Sequence, residues 1–334
     1  MTLNIVILGG GGNISYWLEK VHLDKGGNVY SVSRGRDKLQ RTHSKTENFH
    51  KVRLDINNKK ADISKILDYR PDIIVDFICF NKEQALLRRP LLRSFSGVYI
   101  MVSTVAVYNR HEGMNIITDK SDVSNASWPY AVKKLEAERC LLEQISPADM
   151  RILRLGHTYD LIFPVPFGPS DWHIPNLLEQ GHKLLTHAGS RSKWRLQHSS
   201  DCARKIAYIG NNTQLFSHVT NIVGFKEYSW LDICFSIFDA LGRKPKIQFL
   251  TAELLERMNP YWSDSVKYHK RFDESYIGHS QEILFNNSGN DRALLDGLKS
   301  SVDLYRANRP NIKLDKITLN QYLQLIDESI EVFE

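Results

Sequence analysis

The sequence has no run of five like charges, no long uninterrupted apolar stretch, no low-complexity tract and no internal repeat. The first absence argues against a nucleic-acid-binding tail. The second argues against a membrane-spanning helix, which needs about 18 or more apolar residues in a row. No charged leader precedes an apolar run at the N-terminus, because the first apolar segment runs straight into glycines. A cytoplasmic protein is therefore expected, with no membrane and no nucleic acid among its partners. Cysteine is scarce as well. Cys79, Cys140, Cys202 and Cys234 lie far apart without CxxC or metal-type spacing. They read as buried free thiols in a reducing compartment, and no metal site is expected.

What remains is an ordinary globular composition, with 334 residues, 42% apolar and 25% charged. That length supports a sizeable core in one large or two intertwined domains. The formal charge of +6 comes from scattered Lys and Arg. It suits an anionic ligand such as a phosphorylated cofactor without demanding one.

The chain opens with a short apolar strand, residues 3–8, then Gly9 to Gly12, and Asn13-Ile14-Ser15 begins a helix. Glycines let a backbone approach a pyrophosphate, and a helix N-terminus receives its negative charge. The next strand, 28–33, ends at Arg34 with no acid at Ser33. An acid there would bind a ribose 2′-hydroxyl, whereas an arginine accommodates a 2′-phosphate. NADP is therefore preferred over NAD, although Arg34 stacking on adenine is the alternative.

Alternation of strand and helix continues. A strand at 48–54 ends at Asp55, and a helix runs to about Tyr69. Residues 73–78 read as a parallel strand covered on both faces, followed by a helix over about 82–95. Strand 98–102 ends in Ser103-Thr104, at the carboxyl end of the sheet where ligands of open α/β folds sit. A sixth strand spans 150–155. After Pro164 the rhythm changes to shorter, mixed segments, with a strand at 219–223, a helix from about 229 to 241 and an amphipathic helix at about 317–331. The expected fold is α/β: a Rossmann-type doubly wound parallel sheet with a smaller C-terminal α+β substrate lobe. Residues 1–165 form the dinucleotide-binding domain and 166–334 the lobe, with 219–241 crossing back.

One helix, opening at Trp128-Pro129, sets Tyr130 and Lys134 four residues apart. Positions i and i+4 share a helix face. An ammonium beside a phenol favours the phenolate and lowers its pKa from about 10 toward neutrality. Such a phenol can give and take protons at a carbinol or carbonyl. The spacing alone is weak, since chance produces it on many helices.

In order and spacing, Gly9 to Ile14, Ser103 through Tyr108, Pro129-Tyr130 through Lys134, and Arg154-Leu155-Gly156-His157-Thr158-Tyr159 resemble the extended short-chain dehydrogenase/reductase family. This is the nucleotide-sugar-modifying NAD-dependent epimerase/dehydratase type, and the likeness covers residues 3 to about 250. His198 with Asp201, and Leu241 to Pro245, add weaker support. The resemblance implies that Tyr130 is the catalytic acid/base, that Lys134 lowers its pKa and binds the nicotinamide ribose, and that Thr104 hydrogen-bonds the reacting oxygen beside Ser103. It further implies cofactor contacts at Gly9, Gly12, Asn13, Ile14, Arg34, Asp55, Ile56 and Phe77, and substrate contacts at Phe80, Thr104, His157, Trp194 and Arg195. The expected partner is a sugar or nucleotide sugar. A homodimer through the helices near 82–95 and 128–146 is implied too.

Departures matter as much. Ser15 stands where the third glycine falls, and Asn13 where an aromatic is usual. The family's dehydratases carry an Asp-Glu pair after the threonine; here Val105 and Ala106 argue against a 4,6-dehydratase. Trp194 replaces an arginine that many members place on the nucleotide diphosphate. Either Arg195 reaches the phosphates instead, or the substrate is not a nucleotide sugar. Trp194 reads equally as lobe core or substrate platform, and His157 equally as a hydroxyl contact or a strand end. The competing function is a non-catalytic dinucleotide-sensing or RNA-binding member of the same fold, although such relatives tend to lose the Tyr or Lys.

Overall fold

The computed structural model describes residues 2–35, 41, 43, 46–108, 117–123, 128–144, 146, 148–168, 171–187, 193–258, 262, 291–309 and 315–331. They fall into two compact units. The first contains residues 1–156 and 199–222, and the second contains 157–198, 223–258 and most of the chain from 291 onward. The expected boundary at 165 thus lies at 156, and the segment that returns to the first unit is 199–222. The stretch 259–290, where further helical pieces are expected, lies outside the described residues apart from Trp262.

The first unit is a parallel sheet. β1 (Asn4–Leu8), α1 (Ser15–Asp24), β2 (Asn28–Ser33), β3 (Phe49–Arg53), β4 (Ile73–Asp76), α2 (Lys82–Leu87), α3 (Arg89–Leu92), β5 (Val98–Thr104), α4 (Pro129–Leu142) and β6 (Asp149–Leu155) follow in order. A seventh strand, Val219–Ile222, pairs with β6, so the sheet runs seventh strand, β6, β5, β4, β1, β2, β3. All its pairings are parallel. Parallel strands covered on both faces become continuous apolar runs, and Ile5 to Leu8, Ile73 to Val75 and Tyr99 to Val102 are all buried. Strand order reverses between β1 and β4. That switch point opens a crevice at the carboxyl ends of both strands.

Two expected helices differ for physical reasons. The stretch to Tyr69 forms only a 3₁₀ helix, Ile63–Tyr69, capped by the Asp62 carboxylate. The span 82–95 breaks at Arg88 into α2 and α3, because Pro90 lacks an N–H and crowds the preceding turn. Likewise β4 ends at Asp76 rather than Ile78. The Asp76 Oδ1 accepts the Ile78 N–H at 2.9 Å and turns the chain.

The second unit is α+β. Its strands pair in twos: residues 197–198 with 158–159, 228–229 with 193–194, and 247–250 with 184–187. Helix Trp230–Leu241 starts with a capping box between Ser229 and Asp232 and ends at Gly242, whose φ of 67° suits a residue without Cβ. Helix Leu294–Asn308 packs against it. Among the described residues no helix is long and apolar enough to cross a membrane.

Candidate functional site

The glycine loop joins β1 to α1 at the switch point. Gly9 and Gly10 donate their N–H groups to the Val32 carbonyl at 2.9 and 3.1 Å. Gly9 has a φ of 91°, and a Cβ there would lie 2.6 Å from Ile78 Cγ2, so the loop closes directly on the one after β4. Ser15, in the place of the third glycine, has work of its own. Its hydroxyl donates to the Gly9 carbonyl at 2.9 Å and accepts the Gly12 N–H at 2.7 Å. Beneath the loop lies Glu19, buried on α1. Its Oε1 accepts the Gly11 N–H at 3.0 Å and the Ser31 hydroxyl at 2.6 Å. Asn13 reaches sideways, donating to Ser199 Oγ at 2.8 Å. The first N–H groups of α1, around Ile14, have no intrahelical acceptor by construction.

At the end of β2, Arg34 is exposed. Gly35 donates its N–H to Ser33 Oγ at 3.2 Å. Beyond β3, Asp55 is exposed and turns the chain by accepting the Asn57 N–H, while Ile56 is buried. Phe77 is half-buried just past β4.

The helix α4 begins at Pro129 with its missing N–H at the first turn, where none is needed. Tyr130 lies there at 38% exposure. One turn on, Lys134 is only 2% exposed. Its ammonium donates to the Cys79 carbonyl at 2.9 Å and the Val102 carbonyl at 2.8 Å, and lies 4.6 Å from the centre of the Phe80 ring. Burial pushes its pKa down to about 8, while Cys79, Asp76 and Glu138 pull the other way. At neutral pH it is still charged. Phe80 is itself 42% exposed.

Thr104 and Ser103, adjacent on β5, differ because alternate residues of a strand face opposite ways. Thr104 is half-buried, and its Oγ1 accepts the Ala106 N–H at 3.2 Å, capping a 3₁₀ turn over Val105–Val107. Ser103 is buried and donates to the Glu138 carboxylate. Glu138 also accepts from Arg154 Nη2 at 2.7 Å. Arg154 lies 4.8 Å from the centre of the Tyr108 ring, and Tyr108 donates to Asn221 Oδ1 at 2.7 Å. Ser103 is thus tied into a buried network.

In the second unit, His157 meets the rings of Trp194 and Trp230 edge-on, with centroids 5.9 and 5.8 Å away. Desolvation in this cluster lowers the His157 pKa to about 4, so the ring is neutral at pH 7. Trp194 is 1% exposed and has no open face, which makes it lobe core rather than a platform in this arrangement. Arg195 is also buried, and its Nη2 donates to Glu227 Oε1 at 2.9 Å. Its charge is therefore already matched.

Sequence reasoning missed Glu19, Ser31, Asp76, Arg88, Tyr99, Glu138 and the inward face of Arg154. Only Asp76 carried a signal, as a charge inside an apolar run.

A nucleotide-binding sheet with a glycine loop at its switch point defines a dinucleotide-dependent α/β protein. Residues 5–218 match the NAD dependent epimerase/dehydratase family, and the chain belongs to it. It is an enzyme of that epimerase and oxidoreductase type. A search of curated proteins finds no match. Among solved structures, UDP-glucuronic acid 4-epimerase from Bacillus cereus, in complex with UDP-glucuronic acid and NAD, is similar at 16% identity and a TM-score of 0.67, covering 91% of this chain and 99% of that one. The dTDP-glucose 4,6-dehydratase from Bacillus anthracis, in complex with NAD, is similar at 17% identity and a TM-score of 0.71, covering 92% and 98%. UDP-glucose 4-epimerase from Bifidobacterium longum, with NAD+ and UDP, is similar at 15% and 0.69, covering 92% and 99%. At such identities the likeness establishes the fold.

Proposed function

We propose that this protein is an NAD(P)-dependent epimerase or reductase acting on a carbinol or keto carbon of a sugar, most plainly a nucleotide-linked one. The observation that carries the reading is Lys134, an ammonium taken into the interior one helical turn from an exposed tyrosine. Two of its three donors go to carbonyls. The third is left for a ribose hydroxyl, and the cation shares a helix face with the Tyr130 phenol. Tyr130 then takes the carbinol proton as the carbon is oxidised and returns it on reduction. Thr104 holds the reacting oxygen, with Phe80 beside it.

The chain fits a nicotinamide dinucleotide. The glycine loop packs so closely on the sheet that a Cβ at Gly9 or Gly10 would strike Ile78 or Ser31, and the α1 N-terminus it leads into suits a pyrophosphate. Gly9, Gly12, Asn13 and Ile14 would hold the phosphates, Asp55, Ile56 and Phe77 the adenine side, and Lys134 the nicotinamide ribose. Bound there, the cofactor supplies hydride acceptance and return. The finer cofactor reading is NADP over NAD, supported by exposed Arg34 following Ser33. Arg34→Gln should cut the preference for NADPH over NADH by about tenfold, the value of one charge-assisted contact. An unchanged preference assigns the 2′-phosphate elsewhere.

Elimination of water is disfavoured, because Val105 and Ala106 are buried and apolar where the acid pair would stand. His157 and Arg195 are assigned to the substrate side only as neutral donor and paired cation. Trp194 supports them from the core. The similar epimerases named above act on UDP-sugars, which favours the same class here.

The test is Tyr130→Phe. It should retain cofactor binding and lose about 10²–10⁴-fold in turnover, the range for acid–base catalysis. Unaltered turnover would refute the assignment. A fall in NADPH absorbance with 4-keto sugars selects the reductase, and tightly retained cofactor selects the epimerase.

A further inference from the structure

We propose that the buried Asp76–Arg88 pair, together with Tyr99, is the positioning device that joins the two cofactor-side loops and fixes the ammonium of Lys134. This rests on the reading of Lys134 as a cofactor-binding residue.

The geometry is continuous. Asp76, Arg88 and Tyr99 are each 0% exposed. Arg88 Nε and the Tyr99 hydroxyl both donate to Asp76 Oδ2 at 2.7 Å. Arg88 Nη1 donates onward to the Ile56 carbonyl and to Asn57 Oδ1, both at 3.0 Å. Asn57 Nδ2 returns to the Ile78 carbonyl at 3.3 Å, and Ile78 N–H closes on Asp76 Oδ1 at 2.9 Å. The loop after β3 and the loop after β4 are thereby held by one guanidinium. The second of those loops presents the Cys79 carbonyl to Lys134.

A buried pair between two apolar layers is a costly way to obtain stability alone, since well-packed apolar residues often do as well. What it supplies here is registration of loops and a charge near Lys134. The groups acting on Lys134 are Asp76 at the end of β4, Cys79 from the loop after it and Glu138 from its own helix, with the Cys79 and Val102 carbonyls and the Phe80 ring in contact. Glu138 is neutralised by Arg154. Asp76 raises the Lys134 pKa toward its ordinary value, and Arg88 is paired with that same carboxylate.

The experiment is NADH binding by fluorescence titration across pH 6.5–9.5 on the full chain, for wild type, Lys134→Met, Asp76→Asn and Arg88→Lys. Wild-type affinity should fall with a midpoint near pH 8, where Lys134 loses its proton. Asp76→Asn should move that midpoint down by about half a unit or more, as loss of a nearby opposite charge requires. Arg88→Lys keeps the charge but cannot reach three acceptors, so affinity should weaken about fivefold or more with the midpoint held. Wild-type affinity and midpoint in folded Asp76→Asn and Arg88→Lys overturn the proposal. If Asp76→Asn does not fold, Arg88→Lys decides alone. A Lys134→Met protein that binds NADH like wild type refutes the reading beneath it instead, and Arg88→Lys then tests the loops independently.

Discussion

Lys134 gives the sharpest stability prediction, because its removal should not behave like loss of an ordinary buried residue. The ammonium is 2% exposed, and burial lowers its pKa from 10.5 to about 8. At about 1.4 kcal/mol per pH unit, that fall amounts to about 3 kcal/mol. The native pKa lies below the unfolded one, so below pH 8 both states hold the proton and the native state bears the full cost of a buried charge. Between about pH 8 and 10.5 the native state releases its proton while the unfolded state keeps it. Stability from this group therefore rises with pH across that window and is lost as pH falls through 8. Lys134→Met removes the cost but strands the Cys79 and Val102 carbonyls, at about 1–3 kcal/mol each. At pH 7 the two terms largely offset, so the variant should lie within about 2 kcal/mol of wild type while losing turnover. Urea unfolding of both proteins from pH 7 to 10 measures the rest. Wild type should gain about 2 kcal/mol on the variant over that range, because groups common to both cancel in the difference. A difference that stays flat with pH would show that Lys134 is not a desolvated cation.

Two further outcomes follow from packing. Glu138 is 1% exposed and its partner Arg154 is 5% exposed. Glu138→Gln leaves the guanidinium without its charge, at about 3 kcal/mol and about 6–12 °C in melting temperature. Adding Arg154→Met should recover most of the loss; a single-variant drop under about 2 °C would contradict the pairing. At Gly10, a Cβ would lie 1.9 Å from Ser31 Oγ and 2.7 Å from Glu19 Oε1. Gly10→Ala should cost about 1–3 kcal/mol and weaken cofactor binding. Ser31→Ala on top should return part of the stability, as a thermal melt of the pair would reveal.

The alternation of strands and helices is legible in the sequence because its signals are local. Short apolar runs at 3–8, 73–78 and 98–102 read as parallel strands covered on both faces, and the glycines after the first mark the turn into a helix. The helix break at Arg88 is legible in principle from Pro90. Side-chain partnership is not. Glu19 and Glu138 sit on helices among other charges, where a pattern identifies a polar position but not what it faces. Ser103 reads as a second catalytic hydroxyl, and its acceptor lies 35 residues away on α4. Trp194 reads equally as lobe core or substrate platform and Arg195 as a phosphate contact; the ring packs on His157 and Trp230 and the guanidinium meets Glu227. What pattern does not show has a common cause. Buried acids hold the segments around the glycine loop and the ends of β4 and β5: Glu19 accepts the Gly11 N–H, Asp76 the Ile78 N–H and Glu138 the Ser103 hydroxyl. Turns that must lie close to a ligand cannot satisfy their donors through a regular ladder, and a carboxylate with several acceptor sites serves them from below. The residues invisible to pattern are therefore the ones that hold the legible motifs in place.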